Sequence, residues 1–529
     1  MTRPVCLVGR RTAEHTVIHD EIMTNNPNNY DYVVIGGGTA GCVIAARLSE
    51  DPGVRVALLE AGAGEDPATG AAANPATAVD LFGSPVDWAY TTVPQSGTDD
   101  IVHGWPRGRV LGGSSSINGL VHLRGHALSY DAWENQGAAG WNYRELLPFL
   151  MRSEQARGRD PRIRGQEGPM IIEEPPAASP LSLALYDASV EAGFAPAGDG
   201  NRPEAEGTFW AESNVVGGRR QDAADAYLRP VLSRPNLTVL TGARVTGLLI
   251  AGGRCHGAEY ILSGEPHTIH AEREVVLSAG TIASPQLLML SGIGPAGHLR
   301  QTGIPVRLDL PGVGANLHDH PMALISYGVR EAFVPGPGRP MILTRSAPGS
   351  DPDVQLSFSP AALEPQWSGR RDGFTVFFSV VAPASRGSIR LRDADPASYP
   401  LIDPAYLSAE ADMDRMVTGL RMARDIARAG ALQGWRGDEF YPGPAVASDE
   451  ECRAYIRHAT STYFHPAGTC RIGTDDHAVV DTDLRVRGID GLRVADASVM
   501  PSVVSANTNA AVLGIAERAA HVISTSALG

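Results

Sequence analysis

The chain contains no lysine, so all 44 of its basic residues are arginine. Chemistry that needs a primary amine, such as a Schiff base or the lysine of a Walker-type phosphate loop, is thereby excluded. Cysteine is scarce as well. Cys6, Cys42, Cys255, Cys452 and Cys470 are scattered, odd in number and without a C-x-x-C pair, so neither a zinc site nor a disulfide framework is expected. A reducing, cytoplasmic setting fits that usage. No run of about 18 apolar residues occurs, which argues against a membrane span, and Val5–Val8 is too short for a signal-peptide core. Positive charge is in deficit: the net charge of −15 argues against nucleic acid as a partner. Internal repeats, a low-complexity tail and a second glycine fingerprint are also missing.

What is present begins at Asp31–Ile35, a short apolar, β-branched run that leads into Gly36-x-Gly38-x-x-Gly41 and then a helical Cys42–Leu48. Strand, glycine turn and helix in that order form a dinucleotide site: Gly36 permits the turn, Gly38 lets a pyrophosphate reach the backbone, and Gly41 lets the helix pack on the strand. The helix N-terminus points free N–H groups at phosphate. Val54–Leu59 reads as a second buried strand ending in Glu60, 24 residues after Gly36, where a carboxylate can accept from a ribose diol. Ala61–Val79 is a loop rich in Ala, Gly, Pro and Asp. Gly108–Asn118, with adjacent glycines and three consecutive serines, frees the backbone to lie against a flat or charged group.

Further along, Pro235–Leu240 and Arg273–Ser278 read as strands of the nucleotide unit. Thr375–Val381 and Ser388–Leu391 read as strands of a second, antiparallel sheet, with Met413–Ala429 an amphipathic helix on its surface. The run Ser461-Thr-Tyr-Phe-His-Pro466 offers His465, an imidazole able to take an alcohol's proton near neutral pH. Ser505 or Asn507 can cap a helix continuing through Ala511, Ile515, Ala519 and Ile523. His318-Asp-His320 has a metal-like spacing but no further nearby ligands, so no metal is expected.

From residue 30 onward the chain resembles the glucose–methanol–choline (GMC) flavoprotein oxidoreductases. The resemblance rests on ordered runs: the glycine turn with Glu60, Gly108–Asn118, Ser278–Gly294, Leu310–Pro321, and the C-terminal block from Tyr463. It implies FAD, held non-covalently, because the family's histidine tether is matched by Trp105, with His103 nearby. Cofactor contacts are implied at Gly36, Gly38, Thr39, Ala40, Gly41 and Glu60, then at Arg109, Gly113, Ser114, Asn118 and Val245, and finally at Asp496, Ala497 and Asn509. His465 resembles the family's catalytic base, and Asn507 its substrate-oxygen partner, at a helix N-terminus suited to negative charge on a reduced flavin. His122 departs from the family's aromatic residue or alanine, and with Met322 and Phe464 is assigned to the substrate pocket. Choline-specific members carry a glutamate where this chain has Met322, and Phe464 matches an aromatic of aryl-alcohol oxidases.

The expected fold is mixed α/β: a Rossmann-type FAD-binding domain of discontinuous segments (30–160, 205–312 and 461–529) and an antiparallel-sheet-plus-helices substrate domain (161–204 and 313–460). Residues 1–29 are read as a leader outside the fold, with Met23 an alternative start. The expected activity is oxidation of a neutral aromatic, furanic or apolar primary alcohol to the aldehyde, by hydride transfer to flavin N5 with His465 as base. Molecular oxygen or another acceptor reoxidises the flavin, and homo-oligomerisation stays open. Choline oxidation and a redox-silent hydroxynitrile lyase are the alternatives.

Overall fold

The computed structural model describes residues 29–62, 80–173 and 178–526, apart from 332, 334, 335 and 337. The leader up to residue 28 and the loop residues 63–79 lie outside the described residues. Asn29–Ile35 and Val56–Leu59 pair in parallel, and Leu237–Leu240 pairs in parallel on the far side of Val56–Leu59. Val33, Val34, Val56, Ala57 and Leu58 are wholly enclosed, as strands covered on both faces must be. On the other flank Asn29–Ile35 pairs in parallel with the long strand Glu265–Leu277, whose first half turns antiparallel onto Arg254–Leu262. Arg244–Ala251 and Leu492–Val494 complete this seven-stranded sheet.

The glycine turn sits at the carboxyl end of Asn29–Ile35, where ligands bind in open α/β sheets. Gly36 has φ +101, and a Cβ there would meet the Ser278 carbonyl at 2.6 Å. A Cβ on Gly41 would lie 1.8 Å from the Gly36 carbonyl, so no other residue lets helix Thr39–Leu48 start this close to its strand. The last helix, Asn509–Ser526, packs beside it. Arg47 clamps the buried Glu517 through Nε and Nη2, at 2.9 and 2.7 Å, and Tyr227 donates to the same carboxylate. At the opposite end Thr39 Oγ1 donates to Asn509 Oδ1 at 3.0 Å, so two helix N-termini converge beside the glycine turn.

The second sheet has eight strands, in the order Arg436–Tyr441, Pro321–Val329, Phe374–Val380, Val354–Ser359, Pro340–Thr344, Gly207–Trp210, Pro196–Gly198, with Ser461–Thr462 added to Pro321–Val329. It is antiparallel except for its final pair, 196–198 with 207–210. Two segments assigned from sequence to the cofactor unit, 207–210 and 461–462, are therefore hydrogen-bonded into this sheet. Ser388–Arg390 departs from expectation in the other direction: it pairs only with Leu401–Asp403, in a separate two-stranded ribbon. The helix expected at Met413–Ala429 spans Glu410–Arg428 and turns Met413, Met416, Leu420 and Ala423 inward. Among the described residues, no helix is long and apolar enough to cross a membrane.

Candidate active site

One part of the site is a cradle of backbone. A Cβ on Gly38 would meet nothing closer than 3.9 Å, so the face above the turn is open, while a Cβ on Gly113 would lie 2.6 Å from Gly38 Cα. The Gly108–Asn118 run thus lies directly against the glycine turn. Helix Thr39–Leu48, opening with Ala40 and Gly41, has no side-chain cap at Gly38, leaving its first N–H groups for an anion. Glu60 is buried, and its two oxygens accept from Gly37 N at 2.9 Å and Gly62 N at 2.7 Å, with lone pairs remaining for a ribose diol. Burial pushes its pKa up to about 7, against the pull of those N–H groups and of Arg109. Val245 follows Ala243, whose N–H donates to the Glu60 carbonyl. Two buried oxygens, Ser278 Oγ beside Gly36 and Asn507 Oδ1, have no protein partner. Open glycine face, free helix terminus, buried carboxylate and unpartnered oxygens together fit FAD.

The other part is built around His465. Ser461–Thr462 hands the chain from the second sheet toward the first, and Phe464 then takes φ +67, a left-handed conformation that costs a non-glycine residue about 1–2 kcal/mol. Hydrogen bonds hold the kink: Phe464 N donates to Thr462 Oγ1 at 2.7 Å, Arg107 Nη2 donates to the Phe464 carbonyl at 2.8 Å, and Tyr463 N donates to the His320 carbonyl at 3.0 Å. His465 N donates to Asp319 Oδ1 at 2.7 Å, while Tyr406 and Thr462 hydroxyls both donate to Asp319 Oδ2 at 2.5 Å. The backbone that carries the imidazole is fixed on every side.

The ring itself is equally constrained. Its Nε2 lies 3.1 Å from Asn507 Nδ2, and its Nδ1 lies 3.0 Å from His320 Nδ1. His320 Nε2 is buried without a hydrogen-bond partner. The Asn507 amide can only donate, so the neutral His465 ring accepts it at Nε2, carries its proton on Nδ1 and donates that to His320 Nδ1. Burial first, and then His320 and Arg107, drive the His465 pKa well below the ordinary histidine value. Burial alone takes His320 to about 3. The arrangement holds a neutral imidazole that can accept one proton at Nε2.

The remaining expected residues fall in several places. His122 is not brought to His465 by any contact. It pairs with Glu154 at 2.9 Å in a buried cluster with Arg124, Arg164 and Glu212, so its assignment to the substrate pocket is corrected to this cluster. Met322 is buried with Leu324 and Phe377 beneath Tyr463, and half-buried Phe464 packs on Phe82 with ring centroids 5.5 Å apart. Asp496 is engaged with protein, accepting from Gly280 N, Ser284 Oγ and Ser498 N, and so caps the turn that contains Ala497. Asn118 Oδ1 accepts from Arg220, Ser114 Oγ accepts from Gly108 N, and Arg109 lies over the Trp88 ring. Neither Ser505 nor Asn507 caps the last helix, which begins at Asn509: the Ser505 hydroxyl bonds Ser129 and the His126 N–H. Both ring nitrogens of His318 are used, by the Asn316 carbonyl and Val503 N, which explains its spacing without metal.

Sequence reasoning missed Asp319, His320, Arg107, Tyr406 and Thr462. Asp319 and His320 stood inside the one motif weighed for metal, but their partner lies 145 residues away for His320 and 146 for Asp319.

A dinucleotide cradle at the parallel strands of one sheet, a second sheet from which Ser461–Thr462 leads, and the buried imidazole of His465 that follows it mark an FAD-dependent oxidoreductase that acts on alcohols. The chain belongs to the GMC oxidoreductase family, whose models match residues 30–322 and 383–516, and FAD is its cofactor. It is 39% identical over 533 residues to mitochondrial choline dehydrogenase of Homo sapiens, covering 94% of this chain and 90% of that protein. It is also 39% identical over 525 residues to oxygen-dependent choline dehydrogenase of Sinorhizobium fredii, covering 93% and 95%. The crystal structure of pyridoxine 4-oxidase from Mesorbium loti superposes with a TM-score of 0.89 at 36% identity, covering 93% of this chain and 99% of that one.

Proposed function

We propose that the protein oxidises a primary alcohol with a flat, apolar body to the aldehyde, with His465 Nε2 receiving the hydroxyl proton. The observation that carries this reading is the lone pair at His465 Nε2, fixed there by the His320 contact behind it and steadied by the Asn507 amide. When bound, FAD supplies a two-electron acceptor for the hydride on the alcohol carbon. The chain's own residues do the rest. Asn507 donates to the oxygen as it gains negative charge, and the converging N-termini of Thr39–Leu48 and Asn509–Ser526 favour anionic groups in the cradle. Met322, Leu324, Phe377 and Tyr463 form an apolar wall that suits an aromatic ring.

Choline is the second reading, and the names of the choline dehydrogenase relatives favour it. A quaternary ammonium taken out of water needs a carboxylate or an aromatic cage. Asp319, the carboxylate bound to the His465 backbone, has both oxygens occupied, and Met322 offers no charge. The name of pyridoxine 4-oxidase, whose substrate is an alcohol on an aromatic ring, supports the first reading. Anaerobic mixing of holoenzyme with benzyl alcohol and with choline tests it. Faster flavin bleaching by benzyl alcohol is expected; a larger kcat/KM for choline would reverse the order, and no bleaching by either would point to the lyase.

We also propose that FAD is held without a covalent bond. Trp105, which by resemblance matches the histidine that tethers flavin in some family members, is buried, and His103 is engaged through Nε2 with Thr98 Oγ1 at 2.7 Å. Acid precipitation should release all yellow colour to the supernatant.

A further inference from the structure

The serine-rich run Gly108–Asn118 is bonded on two sides. Toward the cradle, Gly112 N donates to the Gly37 carbonyl at 2.8 Å, and a Cβ on Gly113 would lie 2.6 Å from Gly38 Cα. Away from it, a Cβ on Gly112 would lie 2.9 Å from Asp222 Cγ. Asp222 is buried and accepts from Ser116 Oγ at 2.6 Å, while Ala223 N donates to Ser115 Oγ at 2.9 Å. Arg220, buried as well, donates from Nη1 to the Ser115 carbonyl at 3.0 Å and to Asn118 Oδ1 at 2.8 Å, and from Nη2 to the Asn118 carbonyl at 2.7 Å.

The run has little order of its own. Gly112 and Gly113 take φ +87 and +56, and glycine loses more backbone freedom on ordering than any other residue. The turn that follows, Gly113–Ser116, is a four-residue 3-10 helix without a side-chain cap. Its shape therefore comes from partners 102 to 108 residues further along the chain. The segment that supplies them starts from a hairpin, Val215–Val216 with Arg219–Arg220, and continues as one turn of π-helix, Ala224–Leu228, a form frequent at functional sites. In that turn Tyr227 donates to the buried Glu517 at 2.9 Å, the carboxylate that Arg47 also holds. Residues 220–227 thus tie the serine-rich run to helices Thr39–Leu48 and Asn509–Ser526, the elements whose N-termini converge beside the glycine turn.

We propose that Arg220 and Asp222 are positioning residues for FAD: they hold Gly112–Asn118 against the glycine turn before the cofactor arrives. Binding energy is then not spent on ordering the run, which is the general advantage of a preorganised site. Arg220 acts through its shape. Its three acceptors, two carbonyls and an amide oxygen, are met by a planar guanidinium with several fixed donors, and the compact ammonium of a lysine cannot reproduce that set. Asp222 acts through Ser116, whose hydroxyl it takes as a charged acceptor.

The test measures two quantities in wild type, Arg220→Lys and Ser116→Ala: the Kd of the apoprotein for FAD, by flavin fluorescence, and hydrogen exchange of the amides of residues 110–118. Arg220→Lys keeps the charge and loses the fork, and Ser116→Ala takes one hydroxyl from Asp222. The Kd should rise roughly 10–100-fold in Arg220→Lys and about tenfold in Ser116→Ala. The amides should exchange slowly in the wild-type apoprotein, faster in both variant apoproteins, and slowly again in all three at saturating FAD. Wild-type affinity in Arg220→Lys would mean that Arg220 acts by charge alone and overturns the inference. Weaker binding with unchanged exchange at 110–118 overturns it too, because the run would then be ordered without these residues. Should Arg220→Lys fail to fold, Ser116→Ala decides, and a wild-type Kd there is the contradicting result. FAD binding is read without any alcohol, so these outcomes stand apart from the choice of substrate.

Discussion

His320 Nδ1 and His465 Nδ1 face each other across 3.0 Å, so one must carry a proton and the other must not. The Asn507 amide, which donates to His465 Nε2, assigns that proton to His465. On the proposed reading His320 is a positioning residue: it touches His465 from behind and sets which ring nitrogen would face the alcohol. Replacing it with asparagine removes a neighbour that depresses the His465 pKa. The rate of flavin reduction in wild type should be flat from neutral to alkaline pH, falling only on the acid side of the ordinary histidine value, because the base is already neutral above its lowered pKa. In His320→Asn that acid limb should move to higher pH while burial still holds it below the ordinary histidine value, with a rate loss of about tenfold or more. A slower variant whose pH profile is unmoved would make His320 a packing residue only.

Asp319 offers a prediction about rigidity. Its carboxylate accepts from His465 N, Tyr406 and Thr462, and it supports the left-handed Phe464. Asn at this position sets an NH2 group against donors, leaving buried groups unpaired at about 1–3 kcal/mol each. Asp319→Asn should lower the Tm of the holoenzyme and slow flavin reduction by about tenfold or more, read by thermal unfolding and stopped-flow absorbance. Wild-type values for both would remove Asp319 from the support of His465.

Glu60 predicts a pH-dependent affinity for FAD. With the carboxyl raised to about 7 by burial, it is largely protonated below that pH, and a ribose diol binds its ionised form. Binding then releases a proton, and the Kd of the apoprotein for FAD should weaken by about tenfold per unit of pH below 7. Titration by flavin fluorescence across that range checks it. Glu60→Gln should bind more weakly, with no such slope, and a flat wild-type curve would show that the ribose is held elsewhere.

His122 should behave as part of the frame. Against the upward push of burial, Arg124, His122 and Arg164 hold the Glu154 carboxyl below its ordinary range. His122→Ala should cost about 1–3 kcal/mol in unfolding free energy while leaving the substrate preference as it is. A changed order of alcohols with unchanged stability would return His122 to the pocket.

These cases show which features the sequence made legible. Gly36, Gly38, Gly41 and Glu60 were readable because the steric demands of a nucleotide turn act within about 30 residues, on a local pattern of strand, turn and helix. Parallel strands such as Asn29–Ile35 announced themselves by continuous burial. His465 and Asn507 were singled out through ordered motifs, and the structure brings these residues, 42 apart in the chain, within 3.1 Å. Asp319 and His320 were not found, because each acquires meaning only when a remote segment folds against it. His122 misled for the same reason, since its partner Glu154 lies 32 residues on, just past the end of helix Tyr143–Ser153. The cap expected at Ser505 or Asn507 failed because the helix begins at Asn509, and the Ser505 hydroxyl is engaged by Ser129.

The most direct measurement is single-turnover reduction of the bound flavin by an aromatic primary alcohol in the absence of oxygen, for wild type and His465→Ala, with FAD content determined in both. The expected result is full FAD content in both proteins and a reduction rate about 10²–10⁴-fold lower in the variant. Reduction of His465→Ala at a rate near that of wild type would contradict the account and place the proton acceptor on another residue.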